Sequence, residues 1–90
     1  IPEDLGVEEG MLEEDLYTVY PNPTTGSIRI SGISGAGATV QVFDLNGKIL
    51  QTVSGYKNMQ VLDLSGLDGN MFVVRITDGS KYSHKRVVKF

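Results

Sequence analysis

The sequence predicts an all-β domain, either a sandwich or a barrel, that begins at Leu16. From this residue onward, short runs rich in β-branched and aromatic residues recur about every ten residues, and turn residues separate them. Asn46-Gly47 and Asp78-Gly79 each stand between two such runs, and both pairs favour tight hairpins. The pattern predicts seven strands near residues 16–20, 27–31, 38–44, 48–54, 58–64, 71–77 and 81–89.

Apolar residues fall two positions apart within these runs, which places them on one face of an extended strand. The Asn46-Gly47 turn is expected to be type I′, with positive φ at both residues. The core is predicted to contain the alternating side chains Ile28, Ile30, Val40, Val42, Leu62, Leu64, Phe72, Val74 and Ile76.

Composition divides the 90 residues into an acidic leader and a mildly basic body. Residues 1–15 carry seven acidic and no basic residues, whereas residues 16–90 carry four acidic and eight basic residues. We interpret 1–15 as a flexible linker and 16–90 as the folded domain. No apolar run reaches the roughly 20 residues that a membrane-spanning helix needs, so no direct membrane insertion is expected.

The usual catalytic and metal-binding constellations are missing, so the sequence predicts a protein that is not an enzyme. The single histidine, His84, lies between basic residues and has no nearby acid to orient it. Asp44-Leu45-Asn46-Gly47 resembles part of a calcium loop, but hairpin chemistry accounts for it. The chain has no cysteine. We therefore predict no catalytic, cofactor or metal residues, and the basic residues of the last strand indicate a sheet edge rather than nucleic-acid binding.

Two segments are predicted to be functionally important. The first is a rigid corner, residues 20–26, in which two prolines fix φ and a glycine releases the chain into the next strand. The second is the C-terminal strand, where Lys85, Val87 and Lys89 are expected on one face and His84, Arg86, Val88 and Phe90 on the other. In this strand Val87 or Val88 would anchor the domain, while Arg86 and Lys89 would present charge to a partner.

Five sequence blocks follow one another along the chain: Tyr20-Pro21-Asn22-Pro23-Thr24-Thr25-Gly26, Val40 to Leu50, Leu62 to Leu67, Phe72 to Ile76 and Arg86 to Lys89. Together these blocks resemble the type IX secretion system C-terminal sorting domain of Bacteroidetes. The resemblance covers about residues 17 to 90. The order and spacing of the blocks are more specific to the family than any one block. Asn70 stands where this family usually has glycine before an aromatic residue, and asparagine tolerates positive φ.

The resemblance implies a seven-stranded antiparallel immunoglobulin-like β-sandwich that serves as a secretion and sorting signal. Its partners would be the outer-membrane translocon, the shuttle, a sortase-like peptidase and the N-terminal cargo domain of the same precursor. The cargo would pass through the periplasm and reach the cell surface or the medium, often after the peptidase has removed the domain. The predicted recognition residues are Lys85, Arg86, Val87, Val88 and Lys89, and the predicted motif and turn residues are Pro21, Asn22, Pro23, Gly26, Asp44, Asn46, Gly47 and Lys48.

A small adhesive or carbohydrate-binding sandwich is the alternative function. Such a module would need a cluster of exposed aromatic side chains. Tyr17, Tyr20, Tyr56 and Tyr82 are scattered along the chain, so only the fold could bring them together. Because the chain starts Ile1-Pro2 without a methionine, we also expect it to be part of a longer precursor.

Overall fold

The computed structural model describes residues 16–34 and 37–90, so the predicted linker and Gly35 lie outside the described residues. Within that part of the chain the regular structure is entirely β. The strands are β1 (Thr18–Tyr20), β2 (Ser27–Ser31), β3 (Ala38–Phe43), β4 (Ile49–Tyr56), β5 (Val61–Asp63), β6 (Met71–Asp78) and β7 (Lys81–Val88).

The strands form two antiparallel sheets that pack into a sandwich. One sheet has the order β1-β2-β5 and the other the order β4-β3-β6-β7. Hairpins join β1 to β2, β3 to β4 and β6 to β7, whereas the connections after β2, β4 and β5 pass from one sheet to the other. This is the sandwich predicted from the sequence, and the barrel alternative is wrong. No helix in the described residues is long and apolar enough to cross a membrane.

The core lies between the sheets, and all nine predicted core side chains are buried in it. Burial alternates regularly along the strands. Every second residue of β3 is buried, and in β6 the buried residues are Phe72, Val74 and Ile76. Four further apolar residues complete the cluster, and these are Tyr17, Ala38, Tyr56 and Val87. Burying a branched aliphatic or aromatic side chain stabilises a fold by about 1.5–3 kcal/mol. The two inward faces are therefore the main source of stability.

The first and fifth predicted strands are at least two residues longer than the strands of the structure. The first strand begins at Thr18, and Leu16 is exposed before it. The fifth begins at Val61, because residues 57–60 form a turn instead. Met59 takes a φ of 70° in this turn, and the amide of Gln60 donates to the carbonyl of Lys57 over 2.9 Å. A residue in the left-handed region cannot continue a strand.

The Asn46-Gly47 hairpin is present, but the predicted type I′ geometry is wrong. Only Gly47 has a positive φ, of 88°, and Asn46 does not. The Asp44 carboxylate accepts from the amides of Asn46 and Lys48 at 2.9 Å each, and the Gly47 amide donates to the Asp44 carbonyl. One left-handed glycine after a tight turn is typical of a three-residue hairpin loop. A type I′ turn would need a second left-handed residue. Here the hydrogen bonds to the Asp44 carboxylate hold the loop instead.

Gly69 and Gly79 also take positive φ beside strands. The final hairpin pairs Asp78 with Lys81, and Gly79 at its tip has a φ of 67°. Before β6, the left-handed residue is Gly69, with a φ of 113°, and not Asn70 as the sequence suggested. A glycine is thus present at this entrance, one position earlier than the family resemblance implied.

Tyr56 connects the two sheets through its phenol group. It ends β4 and is fully buried, and its oxygen accepts from the amide of Ile30 in β2 at 2.9 Å. The same hydroxyl donates to the carbonyl of Gln60. Burial raises the pKa of Tyr56, although the Ile30 amide opposes the shift, so the phenol keeps the proton that it donates.

We predict that Gly47→Ala lowers the melting temperature by roughly 5–10 °C, because left-handed backbone costs an L-residue roughly 1–2 kcal/mol. Gly66→Ala is the matched control, since neither glycine has an atom within 4 Å of an added Cβ but only Gly47 has positive φ. Both variants lose the same freedom in the unfolded chain, so thermal unfolding followed by circular dichroism isolates the backbone effect. Equal melting temperatures for the two variants would contradict the turn geometry.

Candidate recognition site at the C-terminal strand

The C-terminal strand β7 lies at the edge of the four-stranded sheet, paired with β6 on one side. The predicted division of its side chains between two faces is confirmed. Val87 is fully buried and Ser83 nearly so, whereas Tyr82, His84 and Arg86 are exposed. Val87, rather than the half-buried Val88, is therefore the residue that anchors the strand in the core.

The exposed face of β7 carries a small group of aromatic and cationic side chains. The Tyr82 and His84 rings meet edge to face with centroids 5.9 Å apart. The Arg75 guanidinium carbon lies 5.3 Å from the Tyr82 centroid, close enough for a cation–π interaction. The exposed guanidinium of Arg86 makes no hydrogen bond or ion pair with the described residues. Arg86 is thus the clearest unpartnered charge on this face.

The proline corner, residues 20–26, packs against the end of this strand. The Asn22 side-chain amide donates to the Arg86 carbonyl at 2.8 Å, and the Asn22 side-chain oxygen accepts from the Val88 amide at 3.0 Å. One carboxamide therefore pairs with β7 in the way that a neighbouring strand would. The two X-Pro peptide bonds of the corner, Tyr20-Pro21 and Asn22-Pro23, are both cis.

Thr24 continues this pairing through its backbone. Its amide donates to the Val88 carbonyl at 2.8 Å, and its carbonyl accepts from the Phe90 amide at 2.9 Å, which makes a parallel bridge with Lys89. The Thr24 hydroxyl, almost fully buried, donates to the carbonyl of Ser27 at 2.6 Å. The corner and the last three residues are therefore held as one unit.

Lys89 is placed differently from the expectation that it presents charge to a partner. Its ammonium group donates to the carbonyl of Leu64 at 3.2 Å and to that of Leu67, and it lies 5.5 Å from the centroid of the Phe72 ring. Its own amide donates to the Asn70 carbonyl at 2.6 Å. Lys89 thus binds the turn after β5 inside the domain. Of the two cations expected to face a partner, only Arg86 lacks such contacts with the described residues.

The hairpin motif reaches the same end of the molecule. Leu45, 64% exposed, separates two shallow grooves. One, of about 370 Å³, lies between this hairpin and the exposed face of β6 and β7, where Arg75 and His84 line it. The other, of about 460 Å³, reaches Met71 and Val88. The structure thus brings Asp44 and Gly47 close to the C-terminal strand, although Asn46 and Lys48 line neither groove.

The other predicted motif residues hold the corner. Pro21 and Pro23 are exposed on either side of Asn22. Gly26 is buried, and a Cβ there would lie 3.1 Å from the Cβ of Ser65, so the close approach of the turn after β5 favours glycine. Lys85 is half-buried on the inward-facing side of β7. Sequence reasoning missed the roles of Thr24, Leu45 and Tyr56, because no local pattern shows which distant part of the chain a residue will meet in the fold.

Two arrangements of side chains, a metal-binding cluster and a cluster of exposed tyrosines, are not found in the described residues. No group of three or more histidine, aspartate or glutamate side chains there could hold a metal ion. Tyr17 and Tyr56 are core residues, so the four tyrosines do not form the exposed cluster that an adhesive module would need. Tyr82 alone among them is largely exposed.

Comparison with known families gives one match. The family described as the secretion system C-terminal sorting domain matches residues 18–89, from the first residue of β1 to the residue after β7. The match covers most of the chain and confirms the resemblance carried by the sequence blocks. No curated protein matches the chain.

We predict that Lys89→Ala destabilises the domain, whereas Arg86→Ala changes its melting temperature little. A hydrogen bond to a charged group contributes about 1.5–3 kcal/mol, and Lys89 makes two to backbone carbonyls. An exposed arginine with no partner contributes far less. Urea unfolding of both variants measures the difference, and a Lys89→Ala domain as stable as Arg86→Ala would show that the ammonium contacts are energetically unimportant.

Proposed function

The chain belongs to the family of secretion system C-terminal sorting domains, and from this premise we propose that β7 and the proline corner together form the surface that the type IX secretion machinery recognises. A domain of this family is a sorting signal for type IX secretion. Its presence implies an exported protein that crosses the outer membrane, contact with the secretion machinery, and an attached cargo domain.

The observation that carries the proposal is the pairing of Asn22 and Thr24 with the end of β7. It joins the first and last sequence blocks of the family match into one surface, although more than 60 residues separate them. A rigid terminal surface suits recognition by shape and backbone contacts, because little ordering entropy remains to be lost on binding. The corner is therefore part of the signal, because its hydrogen bonds fix the position of the end of β7.

Within this surface the predicted recognition residues have different roles. Val87 and Lys89 hold the strand to the domain, through core packing and through hydrogen bonds to backbone carbonyls respectively. Arg86 offers its exposed guanidinium to a partner. Its carbonyl is bound to Asn22, so the position of its backbone is fixed. Arg86 is accordingly the recognition residue that we propose to contact the machinery directly.

We further propose that a sortase-like peptidase removes the domain and attaches the cargo to the cell surface. The support for this step is family membership together with the composition of residues 1–15, whose seven acidic residues and two glycines are typical of an extended, accessible segment. A peptidase needs such a segment in its active site, and the closed sandwich offers none in β1 to β7.

We predict that the full chain, fused to a periplasmic reporter, delivers that reporter to the surface of a host with a type IX system. Arg86→Glu should lower surface delivery by about tenfold or more and leave the reporter in the periplasm, since a reversed contact charge costs at least about 1.4 kcal/mol. Lys57→Glu is the control, because Lys57 is exposed in the turn after β4 and the charge change is the same.

Failure of the intact fusion to reach the surface would contradict the sorting function. Normal delivery by Arg86→Glu would instead contradict the assignment of this residue. Deleting residues 86–90 is a poorer test, because it removes the buried Val87 and every bond that Thr24 makes to the strand. Melting temperatures of the two substituted domains show whether both remain folded.

For processing, we predict that the mature reporter ends within or just before residues 1–15. Mass spectrometry of its C-terminal peptide, isolated from the surface fraction, locates the bond. A surface reporter that keeps the whole domain would show that delivery proceeds without removal of the domain. A cut inside β1 to β7 would contradict the proposal that the peptidase acts on residues 1–15.

A further inference from the structure

Part of the β7 edge has no neighbour among the described residues. Backbone groups of alternate residues in an antiparallel strand point to opposite sides. Because the Arg86 carbonyl and the Val88 amide meet Asn22, the even-numbered residues direct their groups away from β6. The amides and carbonyls of Tyr82 and His84, and the amide of Arg86, therefore point to an open edge. We call residues 82–86 the open section of β7.

The two edges of this sheet are built differently. The opposite edge strand, β4, has register irregularities at both ends of its pairing with β3. Bulges of this kind twist an edge and discourage further pairing. In contrast, β7 pairs with β6 in unbroken register from Lys81 to Val88. Regular geometry makes β7 the edge on which another strand fits.

The charge of β7 indicates which strand fits. The strand contains Lys81, Lys85 and Arg86 and no acidic residue. Pairing of two copies along this edge would place these cations near one another, and like charges on paired strands are destabilising. A segment with carboxylate side chains would meet favourable charge instead.

We propose that the open section of β7 accepts an extended segment of the secretion machinery, rich in carboxylate side chains, as a fifth strand of the sheet. The proposal rests on the proposed function and specifies how the recognition surface is bound. Backbone hydrogen bonds to residues 82–86 supply attachment that does not depend on sequence, and Arg86 and its neighbours select for acidic side chains. The corner covers the edge beyond residue 86 and so limits the length of the added strand.

Proline at position 84 tests the backbone contact directly. His84→Pro removes an amide that points away from β6, so the ladder within the domain keeps its hydrogen bonds. His84→Thr removes the same imidazole but keeps the amide. In the reporter fusion, we expect His84→Pro to lower surface delivery roughly tenfold relative to His84→Thr, as loss of interface hydrogen bonds does, because the two variants lack the same imidazole and differ in the backbone amide.

A matched proline on the other edge controls for the substitution itself. By the same alternation, the amide of Thr52 in β4 points away from β3, and Thr52 is exposed. Thr52→Pro should deliver normally. If His84→Pro fails to fold, Tyr82→Pro and Tyr82→Thr form the equivalent pair at the next outward-facing amide. Equal delivery by a folded proline variant and its threonine partner, or equal loss in Thr52→Pro, would overturn the proposal.

Delivery of the unsubstituted fusion distinguishes a failure of the sorting function from a failure of the added-strand proposal. If it reaches the surface and His84→Pro does so equally well, the added strand is wrong and the sorting function stands.

Hydrogen exchange of the full chain, measured without any partner, shows whether another segment already pairs with the β7 edge. We expect fast exchange at the amides of residues 82, 84 and 86. Protection that grows with protein concentration would identify a second copy, and protection lost on deleting residues 1–15 would identify the leader; either result overturns the proposal.

Discussion

The pairing of the proline corner with the end of β7 is the contact on which both ends of the domain depend. The corner joins β1 to β2 in one sheet, and β7 is the edge of the other, so this pairing closes the sandwich at one end. An edge strand that ended free would fray, because its last backbone groups would exchange partners with water. Asn22 and Thr24 prevent this and keep the charged residues of β7 in defined positions.

The stabilising role and the proposed recognition role are therefore divided between adjacent residues of one strand. Val87 faces the core and Arg86 faces outward, as the two-residue period of a strand requires. Lys89 lies beyond the strand end, where its flexible stem lets the ammonium group reach carbonyls of the turn after β5. A cation close to the proposed recognition surface can thus stabilise the fold instead of binding a partner. Only its contacts in the structure distinguish these two roles.

The grooves beside Leu45 extend the same surface towards the Asp44 hairpin. Because β3, β6 and β7 are neighbours in the sheet, the end of β3 and the exposed face of β7 lie two strands apart. The hairpin, the corner and the C-terminal strand, which are separate blocks in the sequence, consequently occupy one end and one face of the sandwich. All three blocks lie within the matched residues 18–89, and this arrangement shows how they form one connected surface.

The sequence by itself determined the all-β class, the nine core positions and the two hairpin sites, because strand period and turn chemistry are local properties. It also determined the family, through ordered blocks. Tertiary structure decided the turn type at Asn46-Gly47, where Asp44 supplies hydrogen bonds that local propensity does not count. It decided the partners of Asn22, Tyr56 and Lys89 as well, since each bonds to backbone groups that the fold alone brings within reach. Which cation of the last strand stays open to a partner depends on those distant carbonyls, and for that reason no pattern within the strand could reveal it.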